Sequence, residues 1–245
     1  MAVYDEFAGR HRIRAGAVIK ARQNRIIFEL GMAHCLAQER RVLDIGPGDG
    51  QIASLSHAAY LPYVAVEGSS AVTEMLRERG LEVHEGYVPP LPTGVAGRFS
   101  TCFLLHVLEH MPDHRAASQL FLQVHDTLLP SGTFVVACPD FARWGSDFYD
   151  CDYSHCFPVD APPSQPDRAR PWIRNRPYHH LLRTGLWRHR AAAVMGRTHE
   201  LSALCGWDHR RPHSKGCRQP WNVDISSKPA DGRAAAPGAD VRGKP

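Results

Sequence analysis

The sequence predicts an α/β fold in which a mostly parallel sheet is flanked by helices. Short apolar runs alternate with helical segments between residues 41 and 138, an order typical of parallel strands joined by helical crossovers. Several of these runs are apolar at consecutive positions, as in strands buried on both faces. A glycine-rich turn also ends the first run, at the point where such sheets bind ligands.

The first strand and its turn lie in Arg41–Gly50. Val42, Leu43 and Ile45 form the strand, and the turn that follows spaces its glycines as G-x-G-x-G. This is not the G-x-G-x-x-G spacing of dinucleotide sites. Glycine lets a backbone turn sharply and approach a ligand closely, although purely structural turns use it too. A helix predicted over 51–59 would direct its N–H groups into the turn, which favours a nucleotide site.

The second strand, Tyr63–Glu67, ends in an acid followed by glycine. Glu67 lies 21 residues after Gly46, a separation that suits a carboxylate bonded to both ribose hydroxyls of a nucleoside. An exposed carboxylate at a strand end is the alternative. A helix over 71–79 and a short third strand over 81–87 complete this half of the predicted sheet.

The fourth strand, Phe99–Leu105, leads directly into the run His106–Asp113, which reads H-V-L-E-H-M-P-D. Asp113 can cap a helix predicted over 114–128. A fifth buried strand is predicted over 133–138, after the Ser131-Gly132 turn.

The acidic glycine turn and the H-V-L-E-H-M-P-D run together resemble the class I S-adenosylmethionine-dependent methyltransferases, in particular those that act on small molecules. The resemblance covers roughly residues 36–158. It implies a Rossmann-like sheet and methyl transfer from S-adenosylmethionine to an oxygen or nitrogen of a small-molecule acceptor. Asp44 would help to orient the turn and contact the methionine amine. The residues implied to contact the cofactor are Asp44, Gly46, Pro47, Gly48, Glu67, Gly68, Tyr87 and His106. Tyr87 follows a third strand that lacks the aspartate usual in this family.

The resemblance also implies His110 and His155 as candidate catalytic residues. His155 lies in the loop after strand five, which faces the substrate in this family, and a histidine there can take a proton from a hydroxyl near neutral pH. A packing role is the alternative. Some related enzymes carry E-x-x-E-H after strand four and bind a divalent ion, but His106 replaces the first glutamate here. The loss of that oxygen ligand favours a site without metal.

A boundary is predicted near residue 160. Residues 1–160 contain 13 basic and 19 acidic residues, whereas residues 161–245 contain 16 and 6, and no Phe. We therefore expect an amino-terminal helical segment (1–40), a cofactor-binding core (41–160) and a basic, poorly ordered tail rich in Pro, Arg and His (161–245). The tail does not resemble the family, which suggests a frameshift and a sheet without its usual closing strands.

Three other hypotheses follow from the tail. The protein could be a truncated or frameshifted remnant that binds the cofactor but is catalytically weak. It could instead use its basic tail to methylate nucleic acid. The third is a zinc module, suggested by the regular spacing of Cys205, His209, His213 and Cys217.

Location is predicted from what the sequence lacks. No apolar run approaches the roughly 18–20 residues that a membrane helix needs, and the first residues do not resemble a secretion signal. The seven cysteines are scattered, which is typical of reduced thiols. We expect a cytoplasmic protein without a membrane partner.

Overall fold

The computed structural model describes residues 14–95, 97–159, 188–189 and 221–228. The helices are α1 (Arg14–His34), α2 (Gln51–Ala58), α3 (Ser70–Glu78), α4 (His114–Thr127), α5 (Phe141–Trp144) and α6 (Asp147–Asp150). The strands are β1 (Val42–Ile45), β2 (Tyr63–Glu67), β3 (Val83–Glu85), β4 (Phe99–Leu105), β5 (Leu128–Pro139), β6 (Arg188–His189) and β7 (Trp221–Ser227). A 3-10 turn spans Leu108–His110.

All seven strands lie in one open sheet, in the order β3-β2-β1-β4-β5-β7-β6. Strands β1 to β5 pair in parallel, whereas β7 is antiparallel to both of its neighbours. The prediction of an α/β, Rossmann-like and mostly parallel sheet flanked by helices is confirmed.

The register of the central strands brings three strand ends together. Ile45 at the end of β1 pairs with Val66 of β2 on one side and with Leu104 of β4 on the other. The segments that follow these strands therefore leave the sheet at the same edge, where parallel sheets bind ligands.

Alternate residues of each central strand pack on opposite faces of the sheet. On one face, Val42 joins a cluster with α1 and α2, in which Ile27 is 1% exposed. On the other face, Leu43 joins a cluster with α4, in which Leu120 is fully buried. Burial on both faces explains why these strands read as continuous apolar runs.

The boundary between α4 and β5 differs from the prediction. The helix ends at Thr127, and β5 begins at Leu128 rather than Thr133. Leu128 has extended backbone angles (φ −77°, ψ 140°) and pairs with Phe99 through an irregular register. Tertiary pairing with β4 thus converts a predicted turn into strand.

The sheet stays open, as expected, but the tail does contribute the strand β7 to it. This strand pairs with β5 from Thr133↔Ser227 to Pro139↔Trp221, and the two-residue β6 pairs with β7. The pairing needs only seven residues, and Ile225, which is 1% exposed, seals the face covered by α1. Apart from residues 188–189 and 221–228, the predicted poorly ordered tail and its Cys/His spacing lie outside the described residues.

Candidate active site

The turn after β1 leaves its backbone open to a cavity. Gly46 and Gly48 have positive φ angles of 73° and 53°, which non-glycine residues rarely adopt. A Cβ atom at Gly46 would overlap the Val107 side chain, whereas one at Gly48 would have no heavy atom within 4 Å. The Gly48 backbone therefore faces space that a ligand can fill.

A cavity of about 330 Å³ lies at the edge where β1, β2 and β4 end, within the range of small-molecule sites. All eight residues predicted to contact the cofactor line it: Asp44, Gly46, Pro47, Gly48, Glu67, Gly68, Tyr87 and His106. His110 lines it too, whereas His155 is not among the lining residues. Of the two predicted catalytic histidines, only His110 thus lies at the cavity surface.

Asp44 is a buried acid at the floor of the cavity. It is 1% exposed, and Tyr63 Oη donates a 2.8 Å hydrogen bond to its Oδ2 atom. Burial raises the pKa of Asp44 to about 7, against the opposing effect of the Tyr63 bond. Burial therefore disfavours the ionised form of Asp44, and a cationic group of a ligand would stabilise it.

Glu67 is held in place by backbone donors. Its carboxylate accepts hydrogen bonds from the N–H groups of Ser69, at 2.8 Å, and of Gly68 and Gly48. Burial is the largest influence on the Glu67 side chain and raises its pKa, although the three N–H groups act in the other direction. The carboxylate is thus fixed between the glycine turn and the end of β2.

Tyr87 also lines the cavity. Its ring lies against Gly68, where an added Cβ atom would come within 2.8 Å of the ring. Tyr87 is nevertheless 64% exposed. The ring can therefore cover a ligand in place of the aspartate that this strand end lacks.

Helix α1 supplies two cavity residues that were not among the predicted cofactor contacts, Lys20 and Asn24. Lys20 Nζ lies 3.7 Å from Asp49 Oδ1, and Asn24 Nδ2 donates to Gln51 Oε1 at 2.9 Å. The two residues are four positions apart and so share one helix face. The four-residue spacing could have predicted that both side chains lie on the same face of α1. The many basic residues of this helix made that face hard to distinguish from a solvent-exposed one.

The candidate catalytic end of the cavity contains a cluster of histidines around Glu109. Glu109 is 1% exposed, and its Oε1 atom lies 3.2 Å from His106 Nδ1. His110 Nδ1 lies 3.0 Å from Ser154 Oγ. Burial lowers the pKa of His110, although Glu109 acts to raise it. A neutral imidazole next to the cavity can accept a proton.

His155 lies behind His110. The two rings are 4.9 Å apart, and His155 Nδ1 lies 2.7 Å from the backbone oxygen of Phe148. A carbonyl only accepts hydrogen bonds, so Nδ1 carries the proton in this contact. His155 is 9% exposed and also packs on the Phe148 ring, which suits a supporting role.

One group of side chains could hold a cation. Donor atoms of Glu109, His110 and His155 all lie within 4.8 Å of one another. Glu109 Oε2 is buried without a hydrogen-bond partner. The absence of a metal ion stays a prediction from the sequence.

Comparison with known proteins identifies the class. A family model described as a methyltransferase domain matches residues 14–203, and the match continues past the predicted boundary at residue 160. Because it includes well over half of the chain, the protein belongs to this family, the class I S-adenosylmethionine-dependent methyltransferases. S-adenosylmethionine is accordingly its cofactor. No curated protein matches the sequence.

Solved structures show the same fold. A SAM-dependent methyltransferase from Archaeoglobus fulgidus has a TM-score of 0.54 and 17% identity, over 87% of this chain and 94% of that one. The N-methyltransferase NodS from Bradyrhizobium japonicum has a TM-score of 0.54 and 10% identity, over 86% and 97%. The CcbJ methyltransferase from Streptomyces caelestis is 26% identical with a TM-score of 0.43, over 49% and 51%. The match thus spans about half of the CcbJ chain.

Proposed function

We propose that this protein transfers a methyl group from S-adenosylmethionine to an oxygen or nitrogen nucleophile of a small molecule. The observation that carries this proposal is the cavity, because every residue predicted to contact the cofactor lines it together with His110. When bound, S-adenosylmethionine supplies a methyl group made electrophilic by a positively charged sulfur.

The residues fit this cofactor in three respects. The open space at Gly48 lets a ligand approach the turn. Glu67 presents a fixed carboxylate that can accept hydrogen bonds from two ribose hydroxyls. Asp44 offers a buried carboxylate to the ammonium group, a pairing that offsets the cost of ionising it.

His110 has the role of general base in this proposal, and the remaining residues align the acceptor. Alignment matters because a bound pair of reactants avoids much of the entropic cost of meeting in solution. We assign His155 a supporting role, since it packs behind His110 and does not line the cavity. The Bradyrhizobium structure is an N-methyltransferase, but at 10% identity it does not decide between nitrogen and oxygen.

We also propose that the protein is located in the cytoplasm. None of the described cysteines forms a disulfide, in agreement with a reducing, cytoplasmic environment: Cys35, Cys102, Cys138, Cys151 and Cys156. No helix in the described part of the chain is long and apolar enough to cross a membrane. Nothing in the described residues or in the relatives supports a remnant or a nucleic-acid methyltransferase.

A glycine pair tests cofactor binding. Gly48→Val places a branched side chain in the cavity and should abolish binding of S-adenosylhomocysteine in calorimetry. Gly80→Val is the matched control, because Gly80 also has a positive φ of 77° and open space around its Cβ position, but does not line the cavity. It should lose stability to a similar extent and bind normally. Unchanged binding in Gly48→Val, or binding of NAD instead, would refute the proposal.

A further inference from the structure

A chain of hydrogen bonds leads away from His110 to two residues that the sequence analysis did not single out. Ser154 Oγ lies 3.0 Å from His110 Nδ1 and donates to Asp152 Oδ1 at 2.6 Å. The carbonyl oxygen of Ser154 lies 3.4 Å from the same ring nitrogen. The contact between His110 and Ser154 joins positions 44 residues apart, so it is tertiary rather than local.

The donors and acceptors in this chain of hydrogen bonds determine which ring nitrogen of His110 carries a proton. An ionised carboxylate only accepts hydrogen bonds, and a serine hydroxyl has one proton to give. Burial acts to raise the pKa of Asp152, but the hydrogen bonds from Ser154 outweigh it and hold that pKa below its ordinary value. The carboxyl group is thus ionised near neutral pH and accepts the hydrogen bond that the Ser154 hydroxyl donates.

Ser154 Oγ must therefore accept from His110, which places a proton on Nδ1. The second contact agrees, because the Ser154 carbonyl oxygen can only accept. A neutral imidazole carries one ring proton, so Nε2 is the basic nitrogen. It lies on the side of the ring opposite the Ser154 contact, and His110 lines the cavity.

We infer that Asp152 and Ser154 are positioning residues that hold His110 as its Nδ1–H tautomer, with Nε2 as the base for a hydroxyl acceptor. In the proton transfer, the O–H bond of the acceptor breaks, an Nε2–H bond forms, and the electron pair stays on the acceptor oxygen. Asp152 stabilises the resulting imidazolium through Ser154, and the nearby Glu109 carboxyl group acts in the same direction. The neighbouring His155 ring opposes this charge.

This inference rests on the proposed function, in which His110 is the general base. It favours a hydroxyl acceptor over an amine. A hydroxyl must lose a proton to become a strong nucleophile, whereas an unprotonated amine already carries a reactive lone pair.

A purely structural role is the competing explanation. Asp152 Oδ1 also accepts from the backbone N–H of Ser154 at 2.8 Å, and such bonds stabilise turns. A turn residue would change stability when replaced but would leave the tautomer of His110 unchanged. The tautomer is therefore the decisive measurement.

The experiment is 15N NMR of the full-length protein labelled at the histidine ring nitrogens, with the His110 signals assigned from His110→Gln. The protein should show a protonated Nδ1 and an unprotonated Nε2. Ser154→Ala removes the hydroxyl acceptor but keeps the backbone carbonyl oxygen that also accepts from Nδ1, so it should weaken the preference for Nδ1–H without reversing it. Ser154→Thr keeps the hydroxyl and should match the parent. Ser118→Ala is the matched control, because Ser118 Oγ donates to the His114 carbonyl in an exposed helix, and it should change nothing at His110.

Two Asp152 variants should have opposite effects on the His110 tautomer. Asp152→Ala frees the Ser154 proton to face His110, so Nδ1 should become the acceptor and Nε2 the protonated atom. Asp152→Asn keeps an accepting oxygen and should preserve the tautomer. This pair is therefore the decisive one.

Cofactor binding in the same samples separates this inference from the proposed function. The Ser154 and Asp152 variants should bind S-adenosylhomocysteine within about twofold of the parent, since neither residue lines the cavity. An unchanged tautomer in Asp152→Ala would overturn the inference alone. Absence of binding by the parent protein would overturn the proposed function.

Discussion

At the scale of one residue, Asp44 shows how burial in the cavity disfavours the ionisation of a carboxyl group. The carboxyl group is buried, and the Tyr63 hydroxyl is its hydrogen-bond donor. The nearby Glu67 and Asp49 carboxylates also raise its pKa, after the larger effect of burial. The buried Asp44 carboxyl group therefore favours binding of a cation, at a cost to the stability of the folded protein.

The first prediction concerns the pH dependence of Asp44. Its pKa is about 7 in the folded protein and 3.8 without burial, so the folded state holds a proton that the unfolded chain releases between these values. The Asp44 contribution to the free energy of unfolding is then fully present below about pH 4 and falls as the pH rises to about 7. The slope is at most about 1.4 kcal/mol per pH unit.

Urea unfolding between pH 5 and pH 8 measures this effect. The parent protein should lose more stability across the range than Asp44→Asn, which cannot ionise. Glu39→Gln serves as the control, because Glu39 is exposed, and it should follow the parent. Equal pH dependence in the parent and in Asp44→Asn would contradict the assignment.

At the scale of an element, the carboxyl end of α4 depends on a residue from the tail. The helix passes into β5 without a loop, so its last carbonyl groups need donors from elsewhere. Lys228 Nζ donates to the backbone oxygens of His125 at 3.0 Å and Leu128 at 2.9 Å. The Lys228 side chain is buried, and this burial lowers its pKa.

The second prediction compares two cations at helix ends. Lys228→Met should lower the free energy of unfolding by about 1–3 kcal/mol, because buried carbonyl groups lose their charged donor. Arg40→Met is the control, since Arg40 Nη1 donates to the Met32 carbonyl at 3.2 Å from an exposed position. Its cost should stay below about 0.5 kcal/mol. Equal losses in urea unfolding would show that Lys228 adds nothing specific.

For the whole molecule, β7 decides whether β5 is an interior strand or an exposed edge. An unpaired β5 would present a row of backbone groups and invite aggregation. The β7 pairing covers that edge, and Ile225 joins the cluster formed with Ile27 of α1 and Val135 of β5. Helix, sheet and tail thus share one core.

The third prediction tests this integration. Peptides covering residues 221–227 should exchange backbone hydrogens as slowly as peptides from β4. Ile225→Ala should destabilise the protein by about 2–5 kcal/mol, as for other buried aliphatic truncations. Leu122→Ala, at a position 47% exposed, should cost about 0.5 kcal/mol or less. Fast exchange in 221–227 together with a negligible Ile225→Ala effect would mean that the tail does not belong to the core.

The sequence by itself determined the first four strands closely and predicted residues that line the cavity at their ends. The strands β1, β2 and β4 have the predicted bounds, because each is a short apolar run whose burial is visible in its own residues. The glycine turn, Glu67 and His110 follow these strands, and parallel topology alone brings their ends together. Local pattern was therefore sufficient for that part of the cavity.

Only the tertiary structure decided the rest. The bond from Lys228 to the Leu128 carbonyl spans 100 residues, and the contact between His110 and Ser154 spans 44. Such pairs leave no period in the sequence, because their partners come from elements that meet only after folding. Strand β7 was missed for the same reason. Its seven residues lie in a tail whose composition favours disorder, and what makes them a strand is the long, buried edge of β5 against which they pair.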